Sequence, residues 1–499
     1  MVPGRHRLGL ITGAVLIGLA ITGGTLSPPA FDPPPLRAEP RYSSLPPIPP
    51  AEQVRPAPLA PVRQIDLRIP VKGTVLESTI YYPASPGRHP AMVFVHGSGS
   101  AKRSEFVGQA RRLAAAGIVT MSFDKRGVGY SFRHRDFRLL ADDALAALRV
   151  LRARPDVDPS RVGLWGVSEG SWVAPIAAAQ STEVAFLILV SAPNVSPLRQ
   201  VAWAMNEQLR RLHAPDGARQ MLGRAMGLAE FDFLRYDPIP VLERIRQPVL
   251  AIYGTADPAI PFIESARALS DALDRAGNTS YSIRFIPNAN HGMRIPGSGF
   301  VPGYLESMAN WMRGLPATAA PEPRVAGGTP VQRYAAIDVP QTPWYGGSSM
   351  AFAAVILACA GYLAWPTAAL VSRLRTRDGR GRSGDGGLPW ATLNRRLLRL
   401  ALSGVAFIVA FLGFIATVVL FSIHQAGSFV GLHLGWITLR GTTLLMLVLQ
   451  VTTVAAVIEG LREGWRLSRR QYLAVLGPVG GTGLLMLAAS YYGLYAYPW

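Results

Sequence analysis

After position 349 the chain carries four stretches long enough to cross the hydrocarbon core of a bilayer: about 350 to 371, 400 to 423, 435 to 458 and 472 to 496. No other feature restricts the possible folds so strongly, because a spanning helix needs about 20 mostly apolar residues at 1.5 Å rise. Three of the runs hold no formal charge. The third holds only Arg440, near its start, where a guanidinium can reach back to an interface. Charged residues make up only 16% of the chain, against about 25% in ordinary globular proteins, and the mean hydropathy is +0.21. Together these exclude a disordered chain and predict an all-α transmembrane domain over 350–499.

The formal net charge of +19 first suggests nucleic acid. Its distribution argues otherwise. Three segments that flank apolar runs, residues 1–7, 372–399 and 459–471, hold +10 of that excess. Arginines beside spans stay on the cytoplasmic side, so Arg5 and Arg7 place the N-terminus inside and the run Leu8 to Leu26 exports the central region. The loop 424–434, without a charged residue, then lies outside, as does the C-terminus, where Tyr491, Tyr492, Tyr495, Tyr497 and Trp499 resemble an interfacial belt together with Trp436. Much of the basic excess sets orientation, and no nucleic-acid partner is expected. A single cysteine, Cys359, excludes an intramolecular disulfide, a Cys-rich metal site and a thiol redox pair.

These features predict five regions. Residues 1–27 form a signal peptide or signal anchor, with no small-x-small cleavage site to end it. Residues 28–61, with 13 prolines in 34 positions, form an extended linker. A soluble domain occupies 62–314, a second linker 315–349, and the four-helix transmembrane domain 350–499. Within 62–314, strand-like runs alternate with helical patterns, the signature of a mostly parallel sheet with helices on both faces. Strands are expected at 74–82, 91–95, 118–123, 162–167, 184–190, 248–253 and 281–286, and helices at 105–116, 138–153 and 263–275. The amphipathic stretch 196–245 interrupts the alternation and predicts a small helical cap over an active site.

The strongest local signal is Gly166-Val167-Ser168-Glu169-Gly170, which closes an apolar strand and opens a small-residue helix. A tight strand-to-helix turn needs glycine on both sides so that the serine hydroxyl stands clear of the sheet. Such a hydroxyl is a poor nucleophile until an imidazole removes its proton and an acid orients that imidazole. Asp257, in Tyr253-Gly254-Thr255-Ala256-Asp257-Pro258, comes just after an apolar strand and His291, in Asn290-His291-Gly292, just past another strand, and loops after parallel strands converge at one sheet edge. An oxyanion would need two donors: the backbone N–H of Glu169, and that of Ser98 in His96-Gly97-Ser98-Gly99, with Gly97 as the alternative. His96 reads as structural, the turn Asp124 to Gly129 as architectural, and His424 and His433 as polar caps rather than metal ligands.

In this order the motifs His96-Gly97-Ser98-Gly99, Asp124-Lys125-Arg126-Gly127-Val128-Gly129 with Ser131, the Ser168 turn and the Asp257 and His291 loops resemble the α/β-hydrolase superfamily. The likeness is to serine hydrolases of the dienelactone hydrolase and prolyl oligopeptidase type, and it covers about 250 residues. It implies an α/β-hydrolase fold, with Ser168 as nucleophile, His291 as general base and acid, Asp257 as the group that holds the imidazole, and neither cofactor nor metal. The expected protein is a multi-pass enzyme of a bacterial cell membrane, its hydrolase domain extracytoplasmic, acting on a small-molecule or lipid-like acyl substrate among membrane lipids. Ester or thioester cleavage through an acyl-enzyme leads; peptidase action and transfer of an acyl group to an envelope acceptor use the same triad.

Overall fold

The computed structural model describes residues 4–49, 60–377, 390–423, 427–467 and 469–496. The chain divides into two compact units, one of Pro33–Ala204 with Phe231–Asp338, the other of Met1–Asp32, Met205–Glu230 and Val339–Trp499.

The first unit is built on a nine-stranded sheet: β1 Val62–Val71, β2 Thr74–Pro83, β3 His89–Val95, β4 Val119–Phe123, β5 Val157–Val167, β6 Leu187–Val190, β7 Val249–Gly254, β8 Tyr281–Ile286 and β9 Val325–Gly327. Their spatial order is β1-β2-β4-β3-β5-β6-β7-β8-β9. Strand β2 pairs antiparallel with β1 and β4, and every other pairing is parallel. A parallel sheet must be covered on both faces, and alternation along β3 shows how. Val93 and Val95 join a core with α2 Phe137–Arg152, α3 Gly170–Gln180 and α4 Phe262–Arg275, while Met92 and Phe94 join a second with α1 Val107–Ala115 and α5 Tyr304–Gly314. The seven expected strands and three expected helices are present, with ends shifted by a few residues.

Two strands are unexpected. β1 is a largely exposed edge strand in which Ile65, Leu67, Ile69 and Val71 alternate with Asp66, Arg68 and Pro70. β9 is only three residues long and falls in the stretch predicted to be a linker. That stretch is packed: Gln332 Nε2 and the Ala336 N–H both donate to the buried Glu264 carboxylate at 2.7 and 2.6 Å. The proline-rich segment is likewise docked rather than free over its described residues. Tyr42 is buried edge-on to Phe285, and the N–H groups of Leu36 and Gly327 donate to the carbonyls of Arg333 and Pro46.

In the second unit, Arg7–Leu26, Leu393–Phe421, Phe429–Arg462 and Gln471–Tyr491 are long and apolar enough to cross a membrane, and Ser348–Ala364 is a shorter apolar helix. The N-terminal helix packs on the last one, where Ser490 Oγ donates to the Leu19 carbonyl and Ser27 Oγ to that of Tyr491. Gly361 and Gly477 are so close that a Cβ on either would lie within 2.5 Å of the other's carbonyl oxygen, and Gly481 lies against Ala358, the close approach that small residues permit. Three expectations are corrected here. Tyr491, Tyr492, Tyr495 and Trp436 are buried within this unit rather than forming an exposed belt, Tyr497 and Trp499 lying outside the described residues. Arg440 is buried over the Trp436 ring instead of reaching outward. Residues 205–230, part of the stretch expected to cap the hydrolase domain, group with this unit, their apolar side chains Leu209, Met221 and Leu222 sharing its core.

A buried ion pair braces the sheet. Arg126 holds Asp143 through two hydrogen bonds, Nε to Oδ2 at 2.6 Å and Nη2 to Oδ1 at 2.7 Å, and also donates to the Lys72 carbonyl. Removing one member of such a pair leaves an unpaired buried charge. We expect Asp143→Ala to destabilise the domain by about 3–5 kcal/mol and the double change with Arg126→Met to recover most of that loss. Loss of the exposed Arg68–Glu77 pair should cost less than about 1 kcal/mol. Heat denaturation of the four proteins checks the ranking.

Candidate active site

Strand β5 delivers Ser168 to the C-terminal edge of the sheet in a left-handed conformation, φ 52°. A side chain rarely adopts that conformation, and the neighbouring glycines make it possible. A Cβ on Gly166 would lie 2.3 Å from the Gly170 carbonyl oxygen, and one on Gly170 would lie 2.3 Å from that of Val95. The serine stands at the head of α3, whose N-terminus supplies positive potential.

Asp257, in the loop after β7, is buried; its Oδ1 accepts the Ala259 N–H at 2.8 Å, and its Oδ2 lies 2.9 Å from His291 Nδ1. His291 lies in the loop after β8. Its carbonyl accepts Ser191 Oγ at 2.9 Å, and Ser191 is next in sequence to Val190, whose carbonyl accepts the Ser168 N–H at 3.1 Å. The structure therefore joins Asp257 to His291 directly and links the His291 loop to the Ser168 turn through two residues at the end of β6. Ser168 Oγ makes no hydrogen bond among the described residues. Burial works against an imidazolium at His291, but the Asp257 charge and hydrogen bond outweigh it and hold its pKa above the ordinary 6.5.

The backbone N–H groups of Ser98 and Glu169 have no acceptor among the described residues. Gly97 packs against Ser168, and its missing Cβ would sit 3.5 Å from the serine's own. His96 is structural, as expected: its Nε2 donates to the Phe123 carbonyl at 2.6 Å, and burial pushes its pKa down to about 4.

Sequence reasoning alone misses the surroundings of Glu169. Its side chain is 1% exposed. Lys125 Nζ reaches Oε1 at 2.5 Å, the Tyr130 hydroxyl donates to the same oxygen at 2.8 Å, and Arg135 Nη1 binds Oε2 at 2.5 Å. Lys125 Nζ also donates to the Gly97 carbonyl at 2.7 Å, and the Gly99 N–H donates to the Tyr130 hydroxyl at 3.1 Å. The residues on either side of Ser98 are thus pinned to one carboxylate oxygen. Burial lowers the Lys125 pKa against the pull of Glu169 and raises that of Tyr130. The available signal is an acid inside the Gly-x-Ser-x-Gly turn, which cannot be buried without cations nearby. The turn after β4 is architectural, as expected, at Arg126 and Asp124, the latter accepting the Arg103 N–H at 2.8 Å.

Residues 105–314 match the prolyl oligopeptidase family. The central unit has an α/β-hydrolase fold, and this part of it is similar to that family. Among curated proteins the chain is similar to Esterase EstD of Thermotoga maritima, 27% identical over 45% of this chain and 59% of that one. It is also similar to human Dipeptidyl peptidase 8, 25% identical over 46% of this chain and 26% of that one. The chain thus spans less than two thirds of either relative. A putative dienelactone hydrolase from Klebsiella pneumoniae superposes on 52% of this chain and 99% of that one at 16% identity, with a TM-score of 0.38. The sheet order and the Ser168 turn, not this superposition, carry the fold assignment of the hydrolase domain.

The Asp257 contact has a titration consequence. We expect His291 to titrate above 6.5 in the hydrolase domain, and Asp257→Asn to drop it below 6.5, because burial then acts alone on the imidazolium. Imidazole NMR signals tracked against pH, with the His291→Gln variant to assign them, measure both values.

Proposed function

We propose that this protein is a membrane-anchored serine hydrolase that cleaves a carboxylic ester or thioester through an acyl-enzyme, with its hydrolase domain on the extracytoplasmic side. The observation that carries this reading is the 2.9 Å contact of His291 Nδ1 with the buried Asp257, on a loop tied to the left-handed Ser168 turn. That contact fixes the tautomer in which Nε2 of the neutral ring accepts a proton.

In the proposed sequence His291 Nε2 takes the Ser168 hydroxyl proton as Oγ attacks the substrate carbonyl carbon. The oxyanion forms against the N–H groups of Ser98 and Glu169, both without competing acceptors. His291 then gives its proton to the leaving alcohol or thiol, an ester links the acyl group to Ser168, and a water molecule activated by the same imidazole releases the acid. The Ser168–His291 hydrogen bond closes with substrate, as free sites often leave such contacts open. Lys125 has an electrostatic part in this scheme, since an unneutralised Glu169 carboxylate would oppose the oxyanion formed beside its own N–H.

The similarity to Esterase EstD supports an ester substrate. Peptidase action is the second reading, favoured by the family match and by the similarity to Dipeptidyl peptidase 8. The long apolar helices support membrane anchoring, and the arginine asymmetry across the apolar runs supports the orientation.

We expect the purified chain to hydrolyse short p-nitrophenyl esters and Ser168→Ala to lose at least about 10⁴-fold in kcat. Turnover of aminoacyl-p-nitroanilides alone would favour the peptidase reading, and full activity of the alanine variant would defeat the mechanism. Because the neutral imidazole is the base, kcat/KM should fall as pH drops through the raised His291 pKa, and this limb should move to lower pH in Asp257→Asn.

Lys125→Met should reduce kcat by about 10²-fold with a smaller change in KM, and adding Glu169→Gln should restore part of it by removing the unpaired carboxylate. Equal losses in both variants would show that Lys125 acts only through stability. For orientation, an alkaline phosphatase fusion at residue 430 should be active and one at residue 465 silent in cells. The reverse pattern would overturn the proposed sidedness.

A further inference from the structure

The hydrolase domain has a concavity of about 700 Å³ between the start of α2, the later turns of α3 and residues 232–244. It is separate from the Ser168 hydroxyl. Ile176 and Ala179 in its wall lie eight and eleven residues beyond the serine, about 12–17 Å along the helix. A volume of this size suits a small organic molecule.

Its charge is one-sided. Arg133, Arg138, Arg235 and Arg244 line it, and the first three form no ion pair with a carboxylate among the described residues. Of the two acids in the wall, Asp136 is occupied in capping α2, where Oδ1 accepts the N–H groups of Arg138 and Leu139, both at 3.0 Å. Arg135 also reaches the wall but is committed to Glu169. Four guanidiniums against two carboxylates leave an excess of two positive charges around one cavity, a self-repelling arrangement that a bound anion would relieve. Between the arginines the surface is apolar and aromatic: Phe233, stacked on Phe231 with centroids 5.9 Å apart, and Tyr236, edge-on to Phe137 at 5.1 Å.

We propose that this cavity is a binding site for an amphipathic anion, a carboxylate or phosphate carried on an aromatic or short acyl body. The charge would be taken by Arg133, Arg138 and Arg235, whose planar forks match both groups, and the body would lie on Phe233 and Tyr236. The ligand is either a separate molecule or an anionic part of the hydrolase's own substrate. Binding stands apart from the hydrolase reading, whereas the choice between these two sources rests on it.

The test uses the full chain in a non-ionic detergent and the triple variant Arg133→Gln, Arg138→Gln, Arg235→Gln, all exposed positions. Isothermal titration with benzoate and with phenyl phosphate should saturate the wild type and be at least about tenfold weaker in the variant, while phenol should bind neither protein. Equal binding by the two proteins, or no saturation of the wild type below about 10 mM, overturns the proposal. Two esters then locate the source, p-nitrophenyl hemisuccinate and the neutral p-nitrophenyl butyrate. A rise in KM for the hemisuccinate alone in the variant places the anion on the substrate; unchanged kinetics for both place it on a separate ligand, and either result upholds the site. If the wild type turns over neither ester while benzoate still distinguishes the two proteins, the hydrolase reading fails and the anion site stands.

Discussion

A carboxylate sealed inside a protein must be neutralised or it destabilises the fold by several kcal/mol, and Glu169 is such a carboxylate, set immediately after Ser168. Much of the local structure results from satisfying it. Lys125 arrives from the turn after β4, Arg135 from just before α2, and Tyr130 from the loop between them. One stretch of chain, Lys125 to Arg135, is thus fixed around a side chain 34 to 44 residues further on, and two of its three donors continue to the Gly97–Gly99 loop. The two backbone N–H groups proposed to receive an oxyanion therefore have a common anchor, and neither can shift without straining the other's support.

The second constraint is steric. The turn at Ser168 is left-handed, and Gly166 and Gly170 are in contact with backbone carbonyls at distances that no Cβ tolerates. Close packing of β5, β3 and α3 thus depends on two missing side chains, and it holds the serine proud of the sheet edge where the β7 and β8 loops also end. Glycine supplies the geometry and Glu169 with its cations supplies the rigidity. A site whose donors and nucleophile are ordered before substrate arrives loses little to reorganisation when charge develops.

How much of this is legible in the sequence differs by element, for physical reasons. β7 and the second half of β5 are buried apolar runs and β8 is buried with three of its apolar residues alternating with Ser282 and Arg284, so the residues just beyond these strands, Ser168, Asp257 and His291, stand out with their neighbourhoods. β1 has one exposed edge and a polar face, and β9 is too short to carry a pattern. The proline-rich segment reads as extended and free because proline restricts the backbone. Restriction favours an extended shape but does not prevent docking, and Tyr42 supplies the buried area that holds it. Around Glu169 the sequence reveals only the backbone N–H, because which cations meet a buried acid is decided by tertiary structure, not by spacing.

The amphipathic stretch 196–245 shows the same limit more sharply. A helix with one apolar stripe must bury it, but the stripe does not state against what. In the Pro197–Arg211 helix, Trp203 belongs to the hydrolase unit, where its indole N–H donates to the Tyr334 carbonyl at 2.9 Å, whereas Leu209 belongs to the core of the apolar helices. Leu212 contributes to that core as well, and a Cβ on Gly427 would lie 2.7 Å from its side chain. The boundary between the two units therefore falls inside one helix. In each unit the apolar stripe is matched to a local core, so an amphipathic period that resembles a lid over a catalytic edge is accounted for by burial alone, and the proposed hydrolase function rests on the Ser168, Asp257 and His291 loops without it.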